Sequence, residues 1–163
     1  MSLSRYPALL FALLLGACGF QLRGDPEVGL KKLYISSVGP SQVLTDIRRT
    51  LATGPTRLVA TPVEAEAHLR ILHEARDKTV FTITGTGRVY EFQLKLLVRY
   101  ELAVPGREDP VIPMTEIETR RLITYSEAAP TAKEAEEQLL FKDMQLDLAR
   151  QVLRHVAAMK REL

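Results

Sequence analysis

Three histidines, one cysteine and a Gly-Thr-Gly triplet are the residues of this 163-residue chain whose types invite a chemical reading. His68 and His73 stand five positions apart in a segment that alternates like a strand. Their side chains are therefore expected on opposite faces and not at a shared metal; no metal site is expected, and His155 is remote in sequence. Gly85-Thr86-Gly87 lacks the third glycine that lets a dinucleotide's pyrophosphate approach the backbone, and no Gly-Lys-Ser/Thr follows it as in a phosphate-binding loop. No serine stands in a nucleophile-elbow setting. Asp and Glu number 20, yet no two sit in a pattern that suggests paired general acid and base. The residues offer no catalytic constellation, so the chain is not expected to be an enzyme. A single cysteine also excludes an intrachain disulfide and a four-cysteine zinc site.

Cys18 has a chemistry of its own. Arg5 precedes an apolar run from Tyr6 to Leu15, and the small residues Gly16 and Ala17 follow. That is the order of a secretory signal; the run is shorter than the roughly 20 residues a membrane-spanning helix needs. Leu15-Gly16-Ala17-Cys18 resembles a bacterial lipobox. Such a signal implies that the Cys18 thiol takes a diacylglycerol, that the chain is cut just before it, and that the new amino group is acylated. Residues 1–17 are thus expected to be a lipoprotein signal peptide. The covalent diacylglycerol and N-acyl chain on Cys18 are the only attached groups expected, with no cofactor. Each buried methylene contributes about 0.8 kcal/mol, so three acyl chains would anchor the protein firmly. Gly19, where an inner-membrane retention signal would place Asp, implies delivery to the outer membrane.

The rest of the composition is that of a folded module. Hydrophobic residues make up 46% and charged residues 26%, the balance of a globular chain rather than a disordered one. The length fits one domain. Trp is absent, aromatics are 6% and the formal net charge is +2, which argues against a base-stacking or polyanion-tracking nucleic-acid binder.

The elements that would position any site follow from hydrophobic period. Residues 18–30, with Gly19, Gly24, Pro26 and Gly29, read as a lipid-anchored tether, and 31–163 as a single domain. Lys31 to Ser36 reads as a short strand. Ser41 opens a helix whose Val43, Leu44, Ile47 and Leu51 share a face, ended by Gly54-Pro55. Ala67 to Ile83 begins as a strand with Leu69, Ile71, His73 and Ala75 on one side, and Gly85-Thr86-Gly87 turns it. Tyr90, Phe92, Leu94, Leu96, Val98, Tyr100, Leu102 and Val104 then alternate with Glu91, Gln93, Lys95, Leu97, Arg99, Glu101 and Ala103. That is a long half-buried strand of about 50 Å. Another strand is expected from Met114 to Tyr125. Thr131 and Glu134 form a capping box opening a final helix that runs to about Met159. Its Leu139, Leu146, Ala149, Leu153 and Val156 make one stripe, widened by Leu140, Phe141, Met144, Leu148 and Val152. A stripe this wide fits a helix sunk deeply on a sheet, or one that also meets a partner.

The order β-α-β-β-β-α predicts an α+β fold, a two-layer sandwich with two helices packed on one face of a four-stranded mixed sheet. The opposite face would carry Glu91, Gln93, Lys95, Arg99 and Glu101. Charges of both signs suit either a solvated surface or one enclosed by a polar cavity of another protein.

Cys18-Gly19-Phe20-Gln21-Leu22-Arg23-Gly24 resembles the mature start of the LPS-assembly lipoprotein family, LptE (also called RlpB). Tyr90-Glu91-Phe92-Gln93 is similar to the family's long strand. Ala129-Pro130-Thr131-Ala132-Lys133-Glu134-Ala135-Glu136, with Met144 and Asp147-Leu148-Ala149, is similar to its last helix. The resemblance spans essentially the whole chain. It implies an outer-membrane lipoprotein, periplasm-facing and within the lumen of the LptD β-barrel, that plugs the barrel, assists its assembly and binds lipopolysaccharide on its way to the outer leaflet. It implies that Lys133 is a basic contact for lipopolysaccharide. The family's other basic position aligns with Thr82, a departure, for which Arg88 or Lys78 could substitute. The alternative function is a free periplasm-facing lipoprotein that binds or disaggregates glycolipid without a barrel partner.

Overall fold

The computed structural model describes residues 28–159. The signal peptide, Cys18 and the Gly19–Gly24 string lie outside these described residues.

The alternation from Tyr90 onward produces strand β4, Val89–Ala103, whose Leu94, Leu96, Val98, Tyr100 and Leu102 are all fully buried. Around it are arranged β1 (Lys32–Ser37), helix α1 (Gln42–Ala52), the two-residue β2 (Arg57–Leu58), β3 (Ala67–Ile83), β5 (Ile112–Thr124) and helix α2 (Pro130–Met159). The sheet order is β2-β1-β3-β4-β5. β1 runs parallel to β2 and β3, while β3, β4 and β5 form an antiparallel meander. Both helices supply one side of a common core with the inward residues of β1, β3 and β4, so the two-layer α+β architecture is as expected. The sheet has five strands instead of four. The extra one follows the Gly54-Pro55 turn, where the Arg57 N–H donates to Lys31 O and the Val59 N–H to Leu33 O. Two residues are too few for hydrophobic period to reveal.

Three boundaries shift for physical reasons. Val28 and Leu30 are buried in the core, and Thr56 Oγ1 donates to Leu30 O at 2.8 Å, so the chain joins the domain before Lys31. The final helix starts at Pro130, with the Lys133 N–H bonded to Ala129 O. Thr131 therefore lies inside the first turn and is not its cap; proline at the first helical position needs no N–H partner. The buried face of α2 centres on Phe141, Met144, Gln145, Leu148, Val152 and Val156, while Leu139 is 63% exposed. Ala149 and Leu153 are buried too, so the wide stripe is as expected apart from its Leu139 end, and the helix packs against both the sheet and α1.

β3 does not keep one phase. Leu69 and Ile71 oppose Leu102 and Tyr100 on the core side. The register then slips between Ile71 and His73, leaving Leu72 as the extra residue of a bulge. Beyond it Glu74, Arg76 and Lys78 oppose Val98, Leu96 and Leu94 and share the helix side, while His73 opposes Arg99 on the open side. His68 opposes Ala103, also on the open side. The expectation that His68 and His73 point to opposite faces is thus overturned, because one inserted residue cancels an odd spacing.

Candidate functional site

The bulge is what builds a site. By turning Lys78 toward the helices it lets β3, β4, β5 and the start of α2 enclose a groove of about 120 Å³, lined by Lys78, Phe92, Ile123, Tyr125, Lys133 and Glu137 among others. Lys133, in the first turn of α2, donates from Nζ to Thr124 Oγ1 at 2.9 Å and pairs with Glu136 at 2.8 Å. Lys78 Nζ pairs with Glu137 at 2.5 Å and sits 4.5 Å from the centre of the Phe92 ring. Phe92 meets Tyr125 edge to face, with centroids 5.6 Å apart. Two ammonium groups and two aromatic rings at one opening suit a ligand with an anionic head and an apolar body. The helix dipole disfavours a cation at Lys133; Glu134, Glu136 and Glu137 nearby offset it. An anion entering here has to compete with the carboxylates already holding both lysines.

Of the residues singled out in the sequence, Lys133 is in this groove and Arg88 is not. Arg88 ends the turn that Gly87 makes possible at φ 80°. Its N–H donates to Thr84 Oγ1 at 3.1 Å, and its guanidinium reaches Glu127 at 3.4 Å with both side chains largely exposed. Thr82 opposes Glu91 and donates to its carboxylate at 3.0 Å. Lys78 is the basic residue that joins Lys133, and only the bulge, invisible to period-two counting, puts it there.

The opposite face of the sheet carries the expected charges. Glu101 pairs with Arg70, Arg99 with Glu116 at 2.6 Å, and Glu118 with Lys95 at 2.9 Å and Arg120 at 2.5 Å. The hydrogen bond from Lys95, then those of Arg120 and both their charges, holds the Glu118 carboxyl below the usual carboxylate range. Exposed pairs like these add little to stability; their main effect is a polar, internally neutralised surface.

Ser36 Oγ lies 2.8 Å from His68 Nε2, beside the Tyr34 ring. Burial first, and then the Arg70 charge, hold His68 below the ordinary histidine value. Among the described residues no carboxylate bonds the second ring nitrogen, so the pair lacks the orienting acid of a hydrolytic triad. At the other end of the bulge Glu74 accepts from Ser41 Oγ at 2.7 Å and from the Val43 N–H at 3.1 Å. That carboxylate already occupies the α1 N-terminus. No group of His, Cys, Asp and Glu among the described residues could hold a metal ion, and no helix among them is long and apolar enough to cross a membrane.

The described domain thus combines a charged sheet face, a long β3–β4 hairpin and a small amphipathic groove beside a helix. The chain belongs to the LptE family, whose model, described as lipopolysaccharide-assembly, matches residues 30–156. This is a family of non-enzymatic assembly lipoproteins. The chain is 30% identical over 149 residues to the LPS-assembly lipoprotein LptE of Yersinia enterocolitica, covering 89% of this chain and 70% of that protein. It is 27% identical to the protein of the same name from Pectobacterium atrosepticum, covering 89% and 83%. Among solved structures it is similar to lipoprotein B of Nitrosomonas europaea, with a TM-score of 0.75, 32% identity and 88% and 93% of the two chains covered. It is also similar to the rare lipoprotein B of Shewanella oneidensis, with a TM-score of 0.70, 25% identity and 80% and 97% covered.

Proposed function

We propose that this chain is an outer-membrane lipoprotein, anchored by acyl chains on Cys18, that plugs and assists assembly of the LptD β-barrel and binds lipopolysaccharide during its passage to the outer leaflet. The observation that carries the reading is the groove where Lys78 and Lys133 flank Phe92 and Tyr125. Lipopolysaccharide joins phosphates to acyl chains, and this opening offers a partner for each. At about 120 Å³ it is far smaller than a whole glycolipid, so in this reading the lysines meet a phosphate and the rest of the ligand lies outside the groove. The ion-paired sheet face suits the polar lumen of a large barrel. Arg88 is a peripheral contact in this reading: among the described residues its exposed guanidinium is held by a long pair to Glu127.

Purified full-chain protein binding lipopolysaccharide tests the groove. Lys133→Ala and Lys78→Ala are each expected to weaken binding about tenfold, the loss of one charge-assisted contact, and Arg88→Ala less. Glu136→Gln and Glu137→Gln are expected to strengthen it, because each frees an ammonium. Unchanged affinity in both lysine variants would sink the groove as the site. Affinity purification of the tagged protein from native envelopes tests the partner. A large barrel in near-equal amount supports the plug. Retained glycolipid without a barrel favours the free glycolipid-binding lipoprotein.

A further inference from the structure

Beyond the Leu72 bulge, the helix-side residues of β3 meet α2 in regular steps. Lys78 pairs with Glu137. Two residues back along the strand, Arg76 Cζ lies 5.4 Å from the centre of the Phe141 ring, and Phe141 stands four residues after Glu137 on α2. Two strand residues rise about 6.6 Å and four helix residues about 6 Å, so these contacts are consecutive steps of one seam. Lys133 opens the seam one helical turn before Glu137. From Lys133 to the level of Phe141 the helix rises about 12 Å, and each of the three steps carries a cation.

The three cations are not equally engaged. Lys133 is paired with Glu136 and Lys78 with Glu137. Arg76 is exposed, and among the described residues it rests on Phe141 with no carboxylate paired to it. The carboxylates nearest to it in sequence are taken. Glu74 holds Ser41 Oγ and the Val43 N–H at the start of α1. Asp77 opposes Lys95 on the other face and accepts from the Lys78 N–H. Phe141 is buried, so the ring under Arg76 is a fixed support. A guanidinium lying on an aromatic ring still has its in-plane fork of N–H donors to give.

We propose that Arg76 is a second phosphate-binding residue, taking one phosphate of a glycolipid whose other phosphate meets Lys78 and Lys133; this rests on the groove reading above. The lipid end of lipopolysaccharide carries a phosphate at each end of a disaccharide, and the seam spaces its cations along about 12 Å. The guanidinium fork matches two phosphate oxygens at once. At the lysines an incoming phosphate has to displace a glutamate, whereas at Arg76 it displaces only water.

Binding of two probes to the purified full-chain protein in one mild detergent tests this: the bisphosphorylated lipid end of lipopolysaccharide and its monophosphorylated form. Arg76→Ala is expected to weaken binding of the first about tenfold and to leave the second at its wild-type affinity. Arg76→Met, which keeps an unbranched stem over Phe141, is expected to melt as wild type and to bind as Arg76→Ala does. Lys78→Ala and Lys133→Ala are expected to weaken both probes. Undiminished binding of the bisphosphorylated probe by either Arg76 variant overturns the assignment. An equal loss for both probes also overturns it, because Arg76 would then share the first phosphate or merely support the fold. In either case, lysine variants that still weaken binding leave the groove standing. Lysine variants that bind both probes as wild type does bring down the groove, and the second phosphate with it.

Discussion

At the residue scale, the half-buried polar contact between sheet and last helix is the one whose chemistry is easiest to isolate. Tyr100 is fully buried in β4, and its hydroxyl lies 2.5 Å from His155 Nδ1 on α2. Burial pushes the phenol up to about 12. A phenol whose folded value exceeds its unfolded one keeps its proton in the native state while the unfolded chain gives it up. Stability from this group is therefore whole below the unfolded value near 10 and declines as pH rises from about 10 to 12. Tyr100→Phe removes both the hydrogen bond and the titration. Its melting temperature at neutral pH is expected to fall, reflecting about 1 kcal/mol for a lost hydrogen bond, and its alkaline decline is expected to be shallower than wild type between pH 10 and 12. Parallel alkaline curves for the two proteins would show that Tyr100 keeps no proton the unfolded chain releases. His68 works in the opposite sense. Held low by burial and Arg70, it favours the native state above its unfolded value and opposes it as acid protonates the unfolded chain first.

At the element scale the bulge at Leu72 links the sheet to both helices. It turns Glu74 to the N-terminus of α1, where the carboxylate holds Ser41 Oγ and the Val43 N–H while Ser41 Oγ accepts from the Leu44 N–H at 3.0 Å. Glu74→Gln keeps the shape and weakens this cap, and Ser41→Ala removes its hydroxyl. Each is expected to destabilise the fold by about 0.5–2 kcal/mol in chemical denaturation. The double variant should fall short of the sum, since the two side chains share one hydrogen-bond chain. Full additivity would mean that Glu74 and Ser41 act separately. This is also where the sequence stops being legible. β4 could be read residue by residue because one face is buried and the other wet along most of its length. The helix from Gln42 could be read because Ser41 caps it and four apolar residues share its face. The phase of β3 past Ile71 could not, because an inserted residue leaves no mark on composition and its exposed far half has no burial to impose a period. The groove inherits that blind spot: Lys133 is expected from the family resemblance, and Lys78 is named beside Arg88, but no period in the sequence chooses between those two.

At the scale of the whole molecule, Val28, the first described residue, precedes the strand that pairs with the Ala67 end of β3, and the β3–β4 turn lies at the opposite end of that strand, about 50 Å away at strand rise. A lipid on Cys18 and a barrel around the folded domain, as proposed above, would be two separate attachments. Joined by one short chain, they reinforce each other by effective concentration, and losing one leaves the other at its intrinsic strength. Cys18→Ala isolates the second. The described core is built from residues 28–156, so the variant is expected to fold and to bind lipopolysaccharide in solution as wild type does. After cell fractionation it should remain with the membrane only to the extent that barrel is present, and become soluble when the barrel is depleted. Wild type should stay with the membrane in both cases. A Cys18→Ala protein that sediments with membranes lacking the barrel would show that something other than acyl chains holds the chain there. A wild-type protein that turns soluble on barrel depletion would remove the lipid anchor from the argument altogether.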